Sequence, residues 1–195
     1  MTIETQQLMG LAHRVIEASQ RLSGVINKTE LIRSPFFSEE SGNMVYIKPE
    51  NFQKTGAFKI RGAYNKLAQL TESERSAGVI TASAGNHAQG IAYAAKLMGL
   101  EATVVMPTAT PLLKVNATKG YGAKVLLYGD TYDDAYGFAL SQREKGGLTF
   151  VHPFDDLDVI AGQGTIGLEI LEALPETDVI LVPVGGGGLA SGIAA

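Results

Sequence analysis

Three short runs decide how this chain folds: Gly78-Val79-Ile80-Thr81-Ala82, Ala102-Thr103-Val104-Val105-Met106 and Lys124-Val125-Leu126-Leu127-Tyr128. Each is apolar, rich in β-branched residues, and about the length of one strand. Their centres, residues 80, 104 and 126, lie 24 and 22 residues apart. Parallel strands need a crossover of a dozen residues or more, usually a helix, and this spacing leaves room for one. The intervening stretches read as helical. The expected fold class is therefore α/β, an open parallel sheet.

Further elements follow on either side. Thr149-Phe150-Val151 is a fourth strand candidate. Val179-Ile180-Leu181-Val182-Pro183-Val184 is apolar throughout, the pattern of a central parallel strand buried on both faces. Upstream, Met44-Val45-Tyr46-Ile47 reads as a short strand closed by Lys48 and Pro49. The N-terminal segment Ile3 to Leu22 carries Leu8, Leu11, Val15 and Leu22 at helical spacing, with Ala12 and Ala18 beside them, and Gly24 stops it. Four glycines follow the last strand candidate, and a helix starts at Leu189 and runs about two turns to Ala195. A central strand followed by so short a helix predicts a truncated chain or one part of a larger domain. The alternative is a naturally short α/β domain.

Composition narrows the function classes. The 195 residues are 45% hydrophobic and show no short repeat, which excludes disorder and fibrous structure. Lys and Arg number 16 against 20 Asp and Glu, a net charge of −4 with no basic tract, so no nucleic-acid partner is expected. With no cysteine there is no disulfide, no thiolate metal site and no catalytic thiol, and no metal is expected. No apolar run reaches the ~20 residues of a membrane span, and the N-terminus lacks signal-peptide order, so a soluble cytoplasmic protein without membrane contact is expected. The 23 glycines are an excess, which points to backbone that turns tightly or closes on a ligand.

Three loops before helices carry candidate chemistry. Gly185-Gly186-Gly187-Gly188 lies between a strand candidate and a helix start, where consecutive amides and the helix N-terminal partial charge suit a phosphate. It is not a nucleotide-triphosphate loop, because the G-x-x-x-x-G-K-[ST] pattern is missing. Gly185, Gly187 and Ala190 do fit the looser dinucleotide pattern, so a Rossmann-like nucleotide binder stays open on this segment alone. Thr81-Ala82-Ser83-Ala84-Gly85-Asn86-His87-Ala88-Gln89-Gly90 is a second anion-capable helix start, suited to a carboxylate; the plainer reading makes Ser83 or Asn86 an N-cap. His87 acts there by its backbone N–H rather than as a base. The third loop, Gln53 to Tyr64, places Lys59 one turn into a helix beginning near Gly56, between the apolar Phe58 and Ile60. A partly desolvated lysine is a usable amine nucleophile, and with a phosphate site it suggests pyridoxal phosphate held through that amine. Alone, Lys59 would read as a snorkelling surface lysine.

Taken together the motifs resemble the fold-type II pyridoxal-phosphate enzymes, and within them the N-terminal portion of the threonine dehydratases (threonine ammonia-lyases). The likeness covers about Ala12 to Ala195. It rests on Glu50-Asn51 with Gly56-Ala57-Phe58-Lys59-Ile60-Arg61-Gly62-Ala63, and on Ser83-Ala84-Gly85-Asn86-His87-Ala88-Gln89-Gly90. Val104-Val105-Met106-Pro107, Ile160-Ala161-Gly162-Gln163-Gly164-Thr165 and Pro183-Val184-Gly185-Gly186-Gly187-Gly188-Leu189 complete the ordered set.

The resemblance implies the following roles. Lys59 would bond the cofactor and later exchange protons at the substrate Cα. Phe58 would pack on the cofactor ring, and Asn86 would hydrogen-bond the ring 3′-oxygen. Gly185, Gly186, Gly187, Gly188 and Leu189 would cradle the phosphate. Ser83, Gly85, Asn86 and His87 would line the substrate carboxylate site, and Gly162 to Thr165 would support the cleft. The substrate would be L-threonine or L-serine, and the assembly a homo-oligomer. Ala84 stands where racemases of the family often carry a serine base, which favours elimination. Residues 1–48 and 148–195 would belong to a larger, incomplete domain and 49–147 to a smaller βαβ domain. The alternative within this reading is an inactive scaffold or oligomerising fragment whose cofactor cleft is unfinished.

Overall fold

The computed structural model describes residues 3–195, with side chains from Met9 onward; Met1, Thr2 and the side chain of Leu8 lie outside the described residues. Helix α1 (Ile3–Leu22) buries Val15, Ala18 and Leu22, and its Val15–Ala18 face packs on Ala161 of a later helix. Strand β1 (Ile32–Arg33) leads into α2 (Pro35–Ser41), where the Ser34 side chain accepts from the Phe37 amide and Pro35 opens the first turn. Strand β2 (Tyr46–Ile47) returns antiparallel, pairing Ile32 with Ile47. The expected strand from Met44 is thus shortened to two residues.

The segment after Pro49 differs from its expected shape. Two 3-10 turns, Glu50–Phe52 and Lys54–Gly56, come first. Thr55 and Gly56 have φ of 63° and 69°, and Ala57 is extended, so no helix can run through them. Helix α3 (Lys59–Ala68) therefore begins at Lys59 itself, not a turn earlier.

A regular alternation follows. Helix α4 (Glu72–Ala77) is closed by a capping box between Thr71 and Glu74. Strand β3 (Val79–Ala82), helix α5 (Asn86–Met98), β4 (Ala102–Met106), α6 (Leu112–Gly120), β5 (Lys124–Leu127), α7 (Tyr132–Gly146) and β6 (Thr149–Phe150) come next. The four strands form one parallel sheet in the order β5-β4-β3-β6, with Val79 beside both Ala102 and Thr149. Val79 and Val104 face Ile60, Leu67 and Ile91 of α3 and α5, whereas Ile80, Ala82 and Val105 face Ala135 and Ala139 of α7. Both faces of the central strands β3 and β4 are covered, which is why these two read as unbroken apolar runs, while the edge strand β5 is half exposed.

Helix α8 (Leu157–Ala173), capped by the Asp156 carboxylate, crosses α1 and α3, and α9 (Gly188–Ala194) packs on it. The crossings are close. A Cβ on Gly162 would lie 2.6 Å from the Arg61 carbonyl oxygen, and one on Gly164 would lie 2.4 Å from that of Gly192.

One strand expectation is overturned. Residues Val179 to Val184 form no strand, and Val179, Leu181 and Val184 are 73%, 92% and 70% exposed. A strand needs a neighbour to pair its N–H and C=O groups, and among the described residues none lies beside this segment. Its apolar pattern records what the segment is suited to be buried in, and a pattern cannot supply the partner. No helix among the described residues is long and apolar enough to cross a membrane.

Candidate active site

The carboxyl ends of parallel strands are where open α/β sheets take ligands, and here three loops meet at one of them. Strand β6 runs on into Val151, His152, Pro153 and Phe154. Lys59 reaches this segment from the start of α3, its Nζ donating to the Pro153 carbonyl at 2.8 Å. Desolvation by burial lowers the Lys59 pKa from its ordinary value. The Phe58 ring centroid is 5.3 Å from the same Nζ. The loop before Lys59 is pinned by Gln53, whose Oε1 accepts from the Asn27 and Lys54 amides while its Nε2 donates to the Asn27 carbonyl. Helix α5 closes on the start of α3 at Gly90, where a Cβ would stand 3.1 Å from the Lys59 carbonyl carbon.

Two residues beyond Lys59, Arg61 is fully buried and all five of its N–H groups are used. Nε and Nη2 donate to Glu50, at 2.8 Å each. Nη1 and Nη2 donate to Glu169 at 2.6 and 3.0 Å, and Nη1 also donates to Thr165 Oγ1 at 3.1 Å. Lys48 pairs with Glu169 and donates to the Thr29 carbonyl, and the Thr29 hydroxyl donates to Glu50. Two cations and two carboxylates make a closed, neutral cluster that ties the first turn of α3 to the Glu50 turn and to α8. The Gly162 to Thr165 stretch lies behind this turn of α3: it packs on Arg61 and Gly62, and Gln163 Oε1 accepts from the Gly62 amide.

The second loop starts α5. Gly85 is the N-cap and makes no side-chain cap, and the Ser83 hydroxyl accepts from the Gly85 amide at 3.2 Å. Neither Ser83 nor Asn86 caps this helix, so the plainer reading of the loop fails. Asn86 and His87 are its first two residues, whose N–H groups lie ahead of the intrahelical ladder. The His87 ring points into the core: it is 2% exposed, its Nε2 is 3.4 Å from the Val151 carbonyl, and its Nδ1 is buried without a partner. Desolvation, and then the Lys59 charge, push its pKa down to about 3. The ring is neutral at pH 7 and only its backbone N–H is offered to a ligand.

This burial has a consequence for stability. Between about pH 3 and the ordinary value of 6.5, the unfolded chain binds a proton at His87 that the folded chain does not. Stability from this group is therefore complete above pH 6.5 and falls as pH drops, by up to about 1.4 kcal/mol per pH unit. Urea unfolding from pH 7 to pH 4 should show a shallower decline for His87→Gln than for the native chain. Identical slopes would mean the ring is not buried neutral.

The third loop is the glycine run. Gly187, at φ 88°, is the N-cap of α9, and no side chain caps that helix. A Cβ on Gly186 would lie 2.4 Å from the Phe154 ring, and one on Gly188 would lie 2.6 Å from the Phe154 carbonyl oxygen. Beside Gly185 and Gly187 there is open space. So Val151, Pro153 and Phe154 each receive one of the three loops. Sequence reading gives Val151 only as the end of a strand candidate and misses Pro153 and Phe154, although their place just after the Thr149–Val151 run was a usable signal.

A family model described as "Pyridoxal-phosphate dependent enzyme" matches residues 22–195. The chain belongs to the pyridoxal-phosphate dependent enzyme family. Among individual relatives of this family, an L-threonine ammonia-lyase of Thermotoga maritima is 57% identical over 178 residues, covering 91% of this chain and 44% of that protein. The processed form of threonine deaminase isoform 2 from Solanum lycopersicum superposes with a TM-score of 0.92 at 43% identity, over 97% of this chain and 52% of its own. Maize serine racemase gives 0.90 at 39% identity, over 93% and 55%. The chain thus spans about half the length of the relatives it matches.

The residues of this member fit the family's cofactor. A primary amine with a lowered pKa suits bonding to the pyridoxal carbonyl carbon. The open space beside Gly185 and Gly187, at an N-terminus that no side chain caps, suits the phosphate.

Proposed function

We propose that this chain is the lysine-bearing N-terminal part of a pyridoxal-phosphate dependent threonine (serine) ammonia-lyase, which converts L-threonine to 2-oxobutanoate and ammonia. The observation that carries the reading is the convergence of the three loops on residues 151–154, with the Lys59 amine donating to Pro153 at their meeting point. Elimination is favoured over racemisation because Ala84 offers no hydroxyl on the second loop. The division into a smaller unit at 49–147 and a larger one from the flanking segments belongs to the same proposal. So do a cytoplasmic location and assembly as a homo-oligomer; exposed apolar side chains at Phe36, Phe37, Val179 and Leu181 are surfaces that further polypeptide would cover.

The residues divide the work. Lys59 would hold the cofactor through Nζ, Phe58 would pack against its ring and Asn86 would bond the ring oxygen. The amides of Gly185 to Leu189 would take the phosphate. Ser83, Gly85 and Asn86, with the His87 backbone N–H, would bind the substrate carboxylate and so orient the Cα–H bond. Pyridoxal phosphate, when bound, supplies an electron sink for the pair left on Cα. Lys59 Nζ, released from holding the cofactor, would receive the Cα proton. Low solvation favours the neutral amine needed for that step. The β-hydroxyl leaves as water, and hydrolysis returns one water, so threonine yields one 2-oxobutanoate and one ammonia.

The test is turnover by the full-length protein loaded with pyridoxal phosphate. Equal amounts of 2-oxobutanoate and ammonia should appear from L-threonine, and pyruvate and ammonia from L-serine. Inversion at Cα without keto acid would replace the lyase by a racemase. Folded, associated protein with no reaction on either amino acid would favour the scaffold reading.

A further inference from the structure

Three of the four residues in the glycine run are glycine for two separate physical reasons. Gly187 needs a positive φ, whereas Gly186 and Gly188 have no space for a Cβ because Phe154 already occupies it. At Gly186 the three nearest atoms are Cγ, Cδ1 and Cδ2 of the Phe154 ring, at 2.4, 2.5 and 2.5 Å from the hypothetical Cβ. At Gly188 they are the Phe154 carbonyl oxygen, Cα and Cβ, at 2.6, 3.1 and 3.1 Å. The root of the ring and the backbone cannot swing aside as the tip of a long side chain would.

Phe154 is itself held. Its amide donates to His152 Nδ1 at 3.3 Å, and the next amide, that of Asp155, donates to the same nitrogen at 2.7 Å. The His152 and Phe154 rings meet edge to face at 4.6 Å between centroids. Two residues on, Asp156 caps α8 and pairs with Lys66 at 2.8 Å. One residue before Phe154, the Pro153 carbonyl receives the Lys59 amine. The nucleophile and the glycine turn are therefore referenced to consecutive residues, whose Cα atoms sit about 3.8 Å apart across a trans peptide.

The geometry points to Phe154 as a positioning residue that sets the distance between the phosphate-binding glycine turn and the Lys59 amine. The inference rests on the cofactor reading above. A rigid ring that carries its aldehyde and its phosphate at fixed separation binds well only where amine and amides are held at the matching span, and pre-set geometry lowers the cost of ordering them on binding. Pyridoxal, which lacks the phosphate, makes no demand on that span. Phe154 should therefore discriminate between the two.

The experiment titrates the native chain, Phe154→Ala, Gly186→Ala and the double variant with pyridoxal phosphate and, separately, with pyridoxal, and counts borohydride-fixed label on Lys59. Phe154→Ala should weaken pyridoxal phosphate about tenfold or more and pyridoxal less than about threefold. Gly186→Ala should cost about tenfold in the native background, by driving a methyl group into the ring, and less than about twofold once Phe154 is alanine. Circular dichroism checks folding, and Phe154→Leu, which keeps most of the volume, serves with an intermediate loss if the alanine variant does not fold. Equal losses for both ligands, or none for either, would overturn the inference. So would a Gly186→Ala cost independent of residue 154. If the native chain takes neither ligand on Lys59, the cofactor reading fails, and this inference with it.

Discussion

Lys59→Ala is expected to lower threonine turnover by the loaded full-length enzyme by at least about a thousandfold, as loss of both the amine that holds the cofactor and the proton acceptor at Cα requires. The next lysine along the helix cannot replace it. Lys66, two turns along the same helix, is occupied by Asp156 and Asp158 at 2.8 and 3.0 Å, and the two carboxylates raise its pKa against the opposing desolvation. Lys59→Arg should be as inactive, since a guanidinium stays protonated and cannot accept the Cα proton at neutral pH. The apo protein should meanwhile unfold within about 1 kcal/mol of the native value, because the side chain gives up one hydrogen bond. Keto-acid formation measured beside urea unfolding separates the two effects. Retained turnover in Lys59→Ala would remove this lysine from the chemistry.

Arg61→Met carries the largest expected cost in stability, about 3–5 kcal/mol, the range for removing one member of a buried ion cluster. The guanidinium is fully buried and serves both carboxylates bidentately, so its loss leaves Glu50 with only the Thr29 hydroxyl and no cation, and Glu169 with Lys48 alone. Burial opposes the Glu169 charge, but hydrogen bonds from Arg61 and Lys48 hold its pKa below the ordinary value. A depressed carboxylate contributes stability above its unfolded pKa and loses it as pH falls through the folded one, so the native chain should lose this increment on acidification and Arg61→Met should lose less. Arg61→Lys should recover only part, since three donors cannot fill the five positions. Because stability totals of 5–15 kcal/mol are usual, Arg61→Met should approach the threshold of folding. Urea unfolding with a cost under about 1 kcal/mol would show instead that the cluster repays only its own desolvation.

Much of this was legible in the residues, for a physical reason. Strands covered on both faces must be apolar throughout, so β3 and β4 stood out; the edge strand β5 and the helices between the strands followed from spacing. The loops at residues 53–64, 81–90 and 185–188 were legible because small residues gather where backbone meets a ligand or another backbone. What escaped was of another kind. Val151 and Pro153 take part through carbonyl oxygens, which every residue has, so no side-chain signature marks them. Phe154 shows only as the reason two other residues are glycine. Glu50, Arg61 and Glu169 look like ordinary surface charges until the topology brings residues 50, 61 and 169 together. His87 sits in a polar loop, yet its ring turns inward, a rotamer outcome that sequence does not encode locally. The Val179 to Val184 run was read for burial it does not have here, because periodicity reports a segment's suitability and not its neighbours.

The most direct measurement uses the 195-residue chain itself: incubation with pyridoxal phosphate, reduction with borohydride, and mapping of the labelled peptide. Label confined to Lys59 and lost in Lys59→Ala is the predicted result. Label spread evenly over exposed lysines such as Lys28 and Lys114, or persisting in Lys59→Ala, would contradict it.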